Sequence, residues 1–274
     1  MPPVVISPEE LAANLENVVL LDARTGANPA GAFASSHLPG ARFADLDHDL
    51  ADVGDPRIGG RHPLPTPARF AGVLGALGVK PEDEVVVYDM AGGINAASRL
   101  WWMLRAAGHQ NVRVLDAKPE LFAPAGLILN ADTSQHQPAP PYPFENWQLP
   151  TVDRDFVKTV QFDPTWTIID VRSAPRFRGE TEPIDPVAGH IPGARNLFHL
   201  ELAGPDGKLL DPEAIAARFN DTVGDIPLDH VIVHCGSGVT ACHAILAFEH
   251  AGIGIPAIYT GSWSEWCRNE PLLK

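Results

Sequence analysis

Cysteine is scarce in this sequence: 3 among 274 residues, at positions 235, 242 and 267. An odd number confined to the C-terminal end cannot form a disulfide framework. A reducing compartment, the cytoplasm, is therefore expected. Positive charge is also short, with 20 Lys+Arg against 34 Asp+Glu and a net charge of −14. That balance excludes nucleic acid as a main partner, because phosphate binding needs a basic face. No apolar run approaches the roughly 20 residues of a membrane span, so no membrane association is expected. The opening Met1-Pro2-Pro3 lacks the basic and apolar regions of a secretory signal. What remains is ordinary globular composition, 45% hydrophobic and 20% charged, with enough apolar residues for a real core. At roughly 100–200 residues per domain, this length suggests two domains.

Self-comparison supports two. Residues 18–24 (VVLLDAR) match 167–172 (TIIDVR), 37–41 (HLPGA) match 190–194 (HIPGA), and 84–89 (EVVVYD) match 230–235 (HVIVHC). Three ordered matches at a nearly constant offset read as a duplicated domain. The expected division is residues 1–133, a proline-rich linker at 134–150, and residues 151–274. The linker, SQHQPAPPYPFENWQLP, disfavours helix and central strand. It reads as a passive spacer, or, given Tyr142, Phe144 and Trp147, as a segment packed along the domains.

Each half alternates short β-branched runs with helical patterns. The runs at 85–88 and 231–234 have the length and continuous apolarity of buried parallel strands. Helical patterns follow at 95–107 and 240–250, each ending at an Ala-Gly pair that can supply a left-handed terminal turn. Short strands then follow at 112–115 and 257–260. The expected class is α/β, with a parallel sheet flanked by helices in each half. Ligands of such sheets sit at the carboxyl ends of strands, so chemistry is expected just after residues 88 and 234.

The second of these places holds Cys235, Gly236, Ser237, Gly238, Val239 and Thr240, with a helix continuing. Backbone N–H groups converge at a strand-to-helix loop and stabilise an anion there. The glycines let the loop curl around the sulfur. Cys235 is thus the candidate nucleophile, while Cys242 and Cys267 read as small buried hydrophobes. A phosphatase-like loop would need arginine six residues after the cysteine, where this chain has Ala241. His234, Cys235, Cys242 and His243 lack zinc-like spacing, so no metal is expected.

These residues resemble the tandem rhodanese-domain sulfurtransferases, in their mercaptopyruvate branch, over nearly the whole chain. The resemblance is carried by the paired Asp-x-Arg and His-x-Pro-Gly-Ala motifs, SRLWWMLR at 98–105, GSWSEW at 261–266, and above all CGSGVT at 235–240. It implies two tandem rhodanese-like domains. The first would be an inactive copy, since Asp89 holds the nucleophile position. It implies sulfur transfer from a small-molecule donor through a Cys235 persulfide to a thiol acceptor such as thioredoxin or a small thiol, or to cyanide. No cofactor is implied. The alternatives are a thiosulfate:cyanide sulfurtransferase and a non-catalytic sulfur-carrying or partner-binding module.

The resemblance also implies site residues. A Ser–His–Asp arrangement maps onto Ser237, His62 and Asp47, and Gly236, Gly238, Val239 and Thr240 form the active-site loop. Arg178 matches a family arginine that binds the substrate carboxylate, with Arg176 as a substitute. The family's second arginine has no counterpart in residues 180–188, which contain Glu180, Glu182 and Asp185 instead. Asp22, Arg24, His37, Asp170, Arg172 and His190 recur in both halves and are expected to be structural, Trp101 and Trp102 to pack, and the chain to be a monomer.

Overall fold

Four-residue apolar runs bounded by turns become the inner strands of two parallel sheets. The computed structural model describes residues 3–133 and 135–270. The chain divides into two units. One takes the chain up to Asp52, Pro65–Gln148 and Pro205–Lys208; the other takes Val53–Leu64, Leu149–Gly204 and the chain from Leu209 onward. The expected segment ends at residues 1, 134 and 274 lie outside the described residues.

In the first unit the strands are β1 (Val5–Ile6), β2 (Val19–Arg24), β3 (Arg42–Asp45), β4 (Val85–Tyr88) and β5 (Val112–Leu115). They pair in the order β1-β5-β4-β2-β3, all parallel. In the second unit β6 (Thr151–Val152), β7 (Thr167–Asp170), β8 (Arg195–Asn196), β9 (Val231–His234) and β10 (Ala257–Tyr259) repeat the arrangement as β6-β10-β9-β7-β8. The sequence repeats therefore occupy equivalent strands. Asp22 stands opposite Tyr88, and Asp170 opposite His234, at the same register.

The helices of the first unit are α1 (Pro8–Asn14), α2 (Pro29–Ser35), α3 (Pro67–Ala76) and α4 (Ala96–Ala106). Those of the second are α5 (Arg154–Val160), α6 (Ala174–Phe177), α7 (Pro212–Val223), α8 (Thr240–His250) and α9 (Ser262–Asn269). Their starts are written locally. Ser7, Asn28, Thr66 and Asp153 each accept an N–H of the first turn of α1, α2, α3 and α5. The α4 and α8 helices end before Gly108 and Gly252, both at positive φ, as the Ala-Gly pairs predict. Both helices follow the central strand of their sheet and are buried almost all round, as expected of a helix apolar on every face. Trp101 and Trp102 are fully buried in α4.

The recurring polar residues tie down the strand ends. Arg24 forks onto Asp22 at 2.9 and 2.7 Å and also donates to Ser36 O. Arg172 forks onto Asp170 at 3.0 and 2.6 Å and donates to Gly189 O at 2.7 Å. His37 Nδ1 donates to Phe33 O and His190 Nδ1 to Phe177 O, each ring stacked on the same phenylalanine. Buried fork pairs of this kind orient a strand end and the loop that meets it. Their duplication in a half without a cysteine fits a structural role.

The proline-rich segment packs on the first unit. Tyr142 N–H donates to Ala71 O, and Gln148 N–H to Ala106 O, while the Tyr142 hydroxyl pairs with His109 Nδ1 at 2.9 Å. Phe144 and Trp147 lie against Phe70, and Trp147 reaches Trp102. Its aromatic residues, rather than its prolines, decide where it lies.

In the second unit, His199 and His243 are buried with their Nδ1 atoms 3.3 Å apart. Burial lowers them to about 4 and about 3, and the charge His199 would carry lowers His243 further. Unfolded histidines titrate near about 6.5. The stability carried by the neutral pair is thus whole above about pH 6.5 and is lost as pH falls toward 4. Chemical denaturation should show a loss on the order of 4 kcal/mol between about pH 7 and about pH 5 from this pair. His243→Met should flatten that limb; an equal loss in both proteins would contradict it.

Candidate active site

The loop after β9 is held open by α9. Trp263 N–H donates to Cys235 O at 3.0 Å and Ser264 N–H to Gly236 O at 2.9 Å. Cys235 N–H donates to Ser262 Oγ at 3.2 Å, and that hydroxyl donates to Tyr259 O. Ser262 has φ 55°, the single positive value outside glycine among the described residues, a conformation that polar loops hold only under constraint. With the loop carbonyls engaged by α9, Gly238 N–H turns inward and donates to Cys235 Sγ at 3.2 Å. Gly238 has φ +76°, and a Cβ there would stand 2.6 Å from Thr260 O. Only glycine fits this position.

Cys235 is 2% exposed at the carboxyl end of the sheet, just ahead of the eleven-residue α8 and its N-terminal dipole. His234 points elsewhere: its Nδ1 donates to Cys235 O, and its Nε2 lies 3.8 Å from Asp170. Burial lowers its pKa against the pull of Asp170. Cys242 Sγ donates to Gly238 O, bracing the loop from α8. Cys267 is buried on α9, where burial pushes its thiol up. Among the described residues, no group of three or more His, Cys, Asp or Glu side chains could hold a metal ion.

The segment Val53–Leu64, assigned to the second unit, brings His62 to the loop. His62 Nδ1 and Ser237 Oγ are 2.7 Å apart, so two residues separated by 175 positions lie within hydrogen-bond distance. Arg61 and Arg176 accompany them. A Cβ built on Gly236 would lie 3.1 Å from Arg61 Nη2 and 3.5 Å from Arg176 Nη2. Two guanidinium groups thus flank the residue next to the nucleophile. Arg178, in contrast, is 55% exposed and forks onto Glu180. Arg176 belongs to the single turn of α6 and Arg178 follows as its C-cap, so the two arginines leave the turn in different directions. Of the two arginines expected at the site, Arg176 therefore stands beside the loop and Arg178 at the surface. Asp47 lies in the first unit, on the turn after β3, and its N–H donates to Asp45 Oδ1.

Arg61 is the site residue that sequence reasoning missed. Its only signal was adjacency to His62. The acids at 182 and 185, which stand where the family's second arginine was expected, are counter-ions. Glu182 takes Arg176 at 2.7 and 3.2 Å and Arg172 at 3.1 Å.

In the first unit the equivalent loop closes on itself. Asp89 Oδ1 accepts from Ala91 and Gly93 N–H at 2.8 Å, and Oδ2 from Asn95 and Ala97 N–H at 3.0 and 3.2 Å. The carboxylate takes four loop amides at the position where the second unit has Cys235 Sγ with Gly238 N–H on it. Asp89→Ala should destabilise the protein by about 1–3 kcal/mol, because it strands buried amides without an acceptor. An unchanged denaturation midpoint would refute the cradle's role.

A family model described as the rhodanese-like domain matches residues 7–117 and 154–269. The chain is 39% identical over 268 residues to a Pseudomonas aeruginosa protein named "Probable 3-mercaptopyruvate sulfurtransferase", covering 95% of this chain and 94% of that one. It is 35% identical, over 98% of this chain and 77% of the relative, to an Arabidopsis thaliana protein named for thiosulfate and 3-mercaptopyruvate sulfurtransfer. The structure of 3-mercaptopyruvate sulfurtransferase from Leishmania major superposes with a TM-score of 0.84 at 31% identity, covering 97% of this chain and 74% of that one. Repeated sheet, paired strand-end forks, cysteine loop and both domain matches agree: this chain belongs to the tandem rhodanese-domain sulfurtransferases.

Proposed function

We propose that the protein takes sulfur from 3-mercaptopyruvate onto Cys235 and passes it to a thiol acceptor. The thiolate attacks the substrate sulfur. The bond from that sulfur to carbon breaks, and its electron pair leaves on carbon as pyruvate enolate. One proton converts the enolate to pyruvate, and Cys235 is left as a persulfide. A thiolate acceptor then attacks the outer sulfur, and Cys235 departs as thiolate. Electrons and atoms balance without metal or cofactor.

The support for this reading is the composition of the Cys235 loop and its flanks. Gly238 N–H already lies on the sulfur, so the sulfur anion of each half-reaction meets a donor that needs no rearrangement. Ser237 and His62 stand beside the same loop and are the groups assigned to move the proton that the enolate carbon takes. The loop residues that follow the cysteine carry no charge. The positive charge comes instead from Arg61 and Arg176 at Gly236, which suits a donor holding its carboxylate to one side of the reacting sulfur.

Incubation with 3-mercaptopyruvate should add one sulfur atom to Cys235 by mass spectrometry, release pyruvate, and leave Cys235→Ser unmodified. Faster loading from thiosulfate than from 3-mercaptopyruvate would overturn the donor assignment. His62→Ala should lower kcat by about 10²-fold, the usual scale of general acid–base assistance, with sulfur loading still directed to Cys235. A kcat and pH profile matching the unsubstituted protein would remove His62 from the mechanism.

A further inference from the structure

The segment Val53–Leu64 carries His62 to the loop with little apolar anchorage of its own. Val53 and Ile58 are 56% and 74% exposed, so their burial contributes little to holding it. Polar contacts hold it instead, and two of them come from α9. Glu265 Oε1 accepts Gly59 N–H at 2.9 Å. Asn269 Nδ2 donates to Arg57 O at 2.9 Å. Gly60 then seats on Gly261, the N-cap of α9. It has φ +80°, and a Cβ there would stand 2.3 Å from Gly261 O. Only glycine allows this approach.

The same helix holds the nucleophile's loop. The first-turn N–H groups of a helix have no partner within it; those of Trp263 and Ser264 go to Cys235 O and Gly236 O. Glu265 and Asn269 are four positions apart and share one helix face. Glu265 is itself fixed, because its Oε2 accepts the hydroxyl of the buried Tyr259 at 2.7 Å. Asn269 is fixed by a second bond, to Glu265 O at 2.8 Å. One eight-residue helix therefore carries the loop on its N-terminal end and the strap on its side. Gly59 stands three positions before His62, so a displacement at Gly59 is passed on to the His62 ring beside Ser237. Arg61 Nε on Asp185 Oδ1 is a further tie of the same strap.

We infer that Glu265 is a positioning residue that, with Asn269, latches Val53–Leu64 to α9 and so sets the distance from His62 to Ser237. The inference rests on the proposed sulfur transfer for what His62 does, and on the contacts of α9 for the latch. Proton transfer between positioned groups loses rate steeply when one of them shifts by about 1 Å. Loop and strap keep their separation because both are tied to one rigid element by short bonds. Glu265 acts through the strap: its charge makes the bond to Gly59 N–H a strong one.

Hydrogen–deuterium exchange over residues 53–64 reads the latch without turnover. Glu265→Ala should speed exchange at Gly59 by about 10-fold, as expected for losing one charge-assisted hydrogen bond. Glu265→Gln should keep that exchange slow, because its carbonyl still accepts from Gly59 and its amide donates to the Tyr259 hydroxyl oxygen. Turnover of 3-mercaptopyruvate reads the consequence. Glu265→Ala should lower kcat by about 10-fold with a smaller change in KM. The same substitution should change kcat by less than about 2-fold when His62 is already replaced by alanine. Gly60→Ala keeps every polar group, pushes the strap off Gly261, and should give both effects. Equal losses of kcat with and without His62 would make the contact merely structural and overturn the inference. Exchange at Gly59 unchanged in Glu265→Ala would overturn it too. If Glu265→Ala fails to fold, Gly60→Ala carries both readouts with the same two overturning results. Failure of the unsubstituted protein to turn over 3-mercaptopyruvate would sink the proposed reaction, while exchange would still decide the latch.

Discussion

An anion at the carboxyl end of a buried parallel sheet is stable only where N–H donors converge on it, since burial removes the water that would otherwise solvate it. This chain meets that requirement repeatedly with different donors. Asp22 and Asp170 take arginine forks, Asp89 takes four backbone amides, and Asp185 takes two arginines. Cys235 sits in the same environment with one amide already on its sulfur. Its placement is thus a special case of a rule that also holds the scaffold together.

The two units show one architecture used in two ways. Strand order, register and strand-end forks are the same. In the first unit the chain supplies its own anion, and the amide cradle is filled permanently by Asp89. In the second, the Cys235 sulfur stands at the equivalent position with Gly238 N–H on it. The residue at the end of the central strand, aspartate in one unit and cysteine in the other, therefore distinguishes the two loops. Everything around that residue, from Ser262 at positive φ to the glycine that fits under Thr260 O, keeps loop carbonyls away from the sulfur.

Helix α8, the β5 strand and the glycine-capped ends of α4 and α8 were legible from local pattern, because apolar periodicity and caps act within a few residues. The repeat made the second sheet legible from the first. The arginines were not. Arg176 and Arg178 are two positions apart, and the single turn of α6 decides which of them meets the loop. The acids at 182 and 185 stand in the sequence as a departure from the family pattern, and only their burial and partners show them as counter-ions of arginines. A charge count along the chain gives no weight to which atoms of a guanidinium are already occupied.

By itself the sequence determined the duplication, the α/β class and the position of the candidate nucleophile, since each rests on patterns that repeat or on neighbours within a loop. Tertiary structure decided what surrounds that nucleophile. His62 and Arg61 reach Ser237 and Gly236 from more than a hundred positions away, and Asp185 meets Arg61 and Arg268 from two further segments. The physical reason is that a charge acts through distance and burial, and neither is written in the order of the residues.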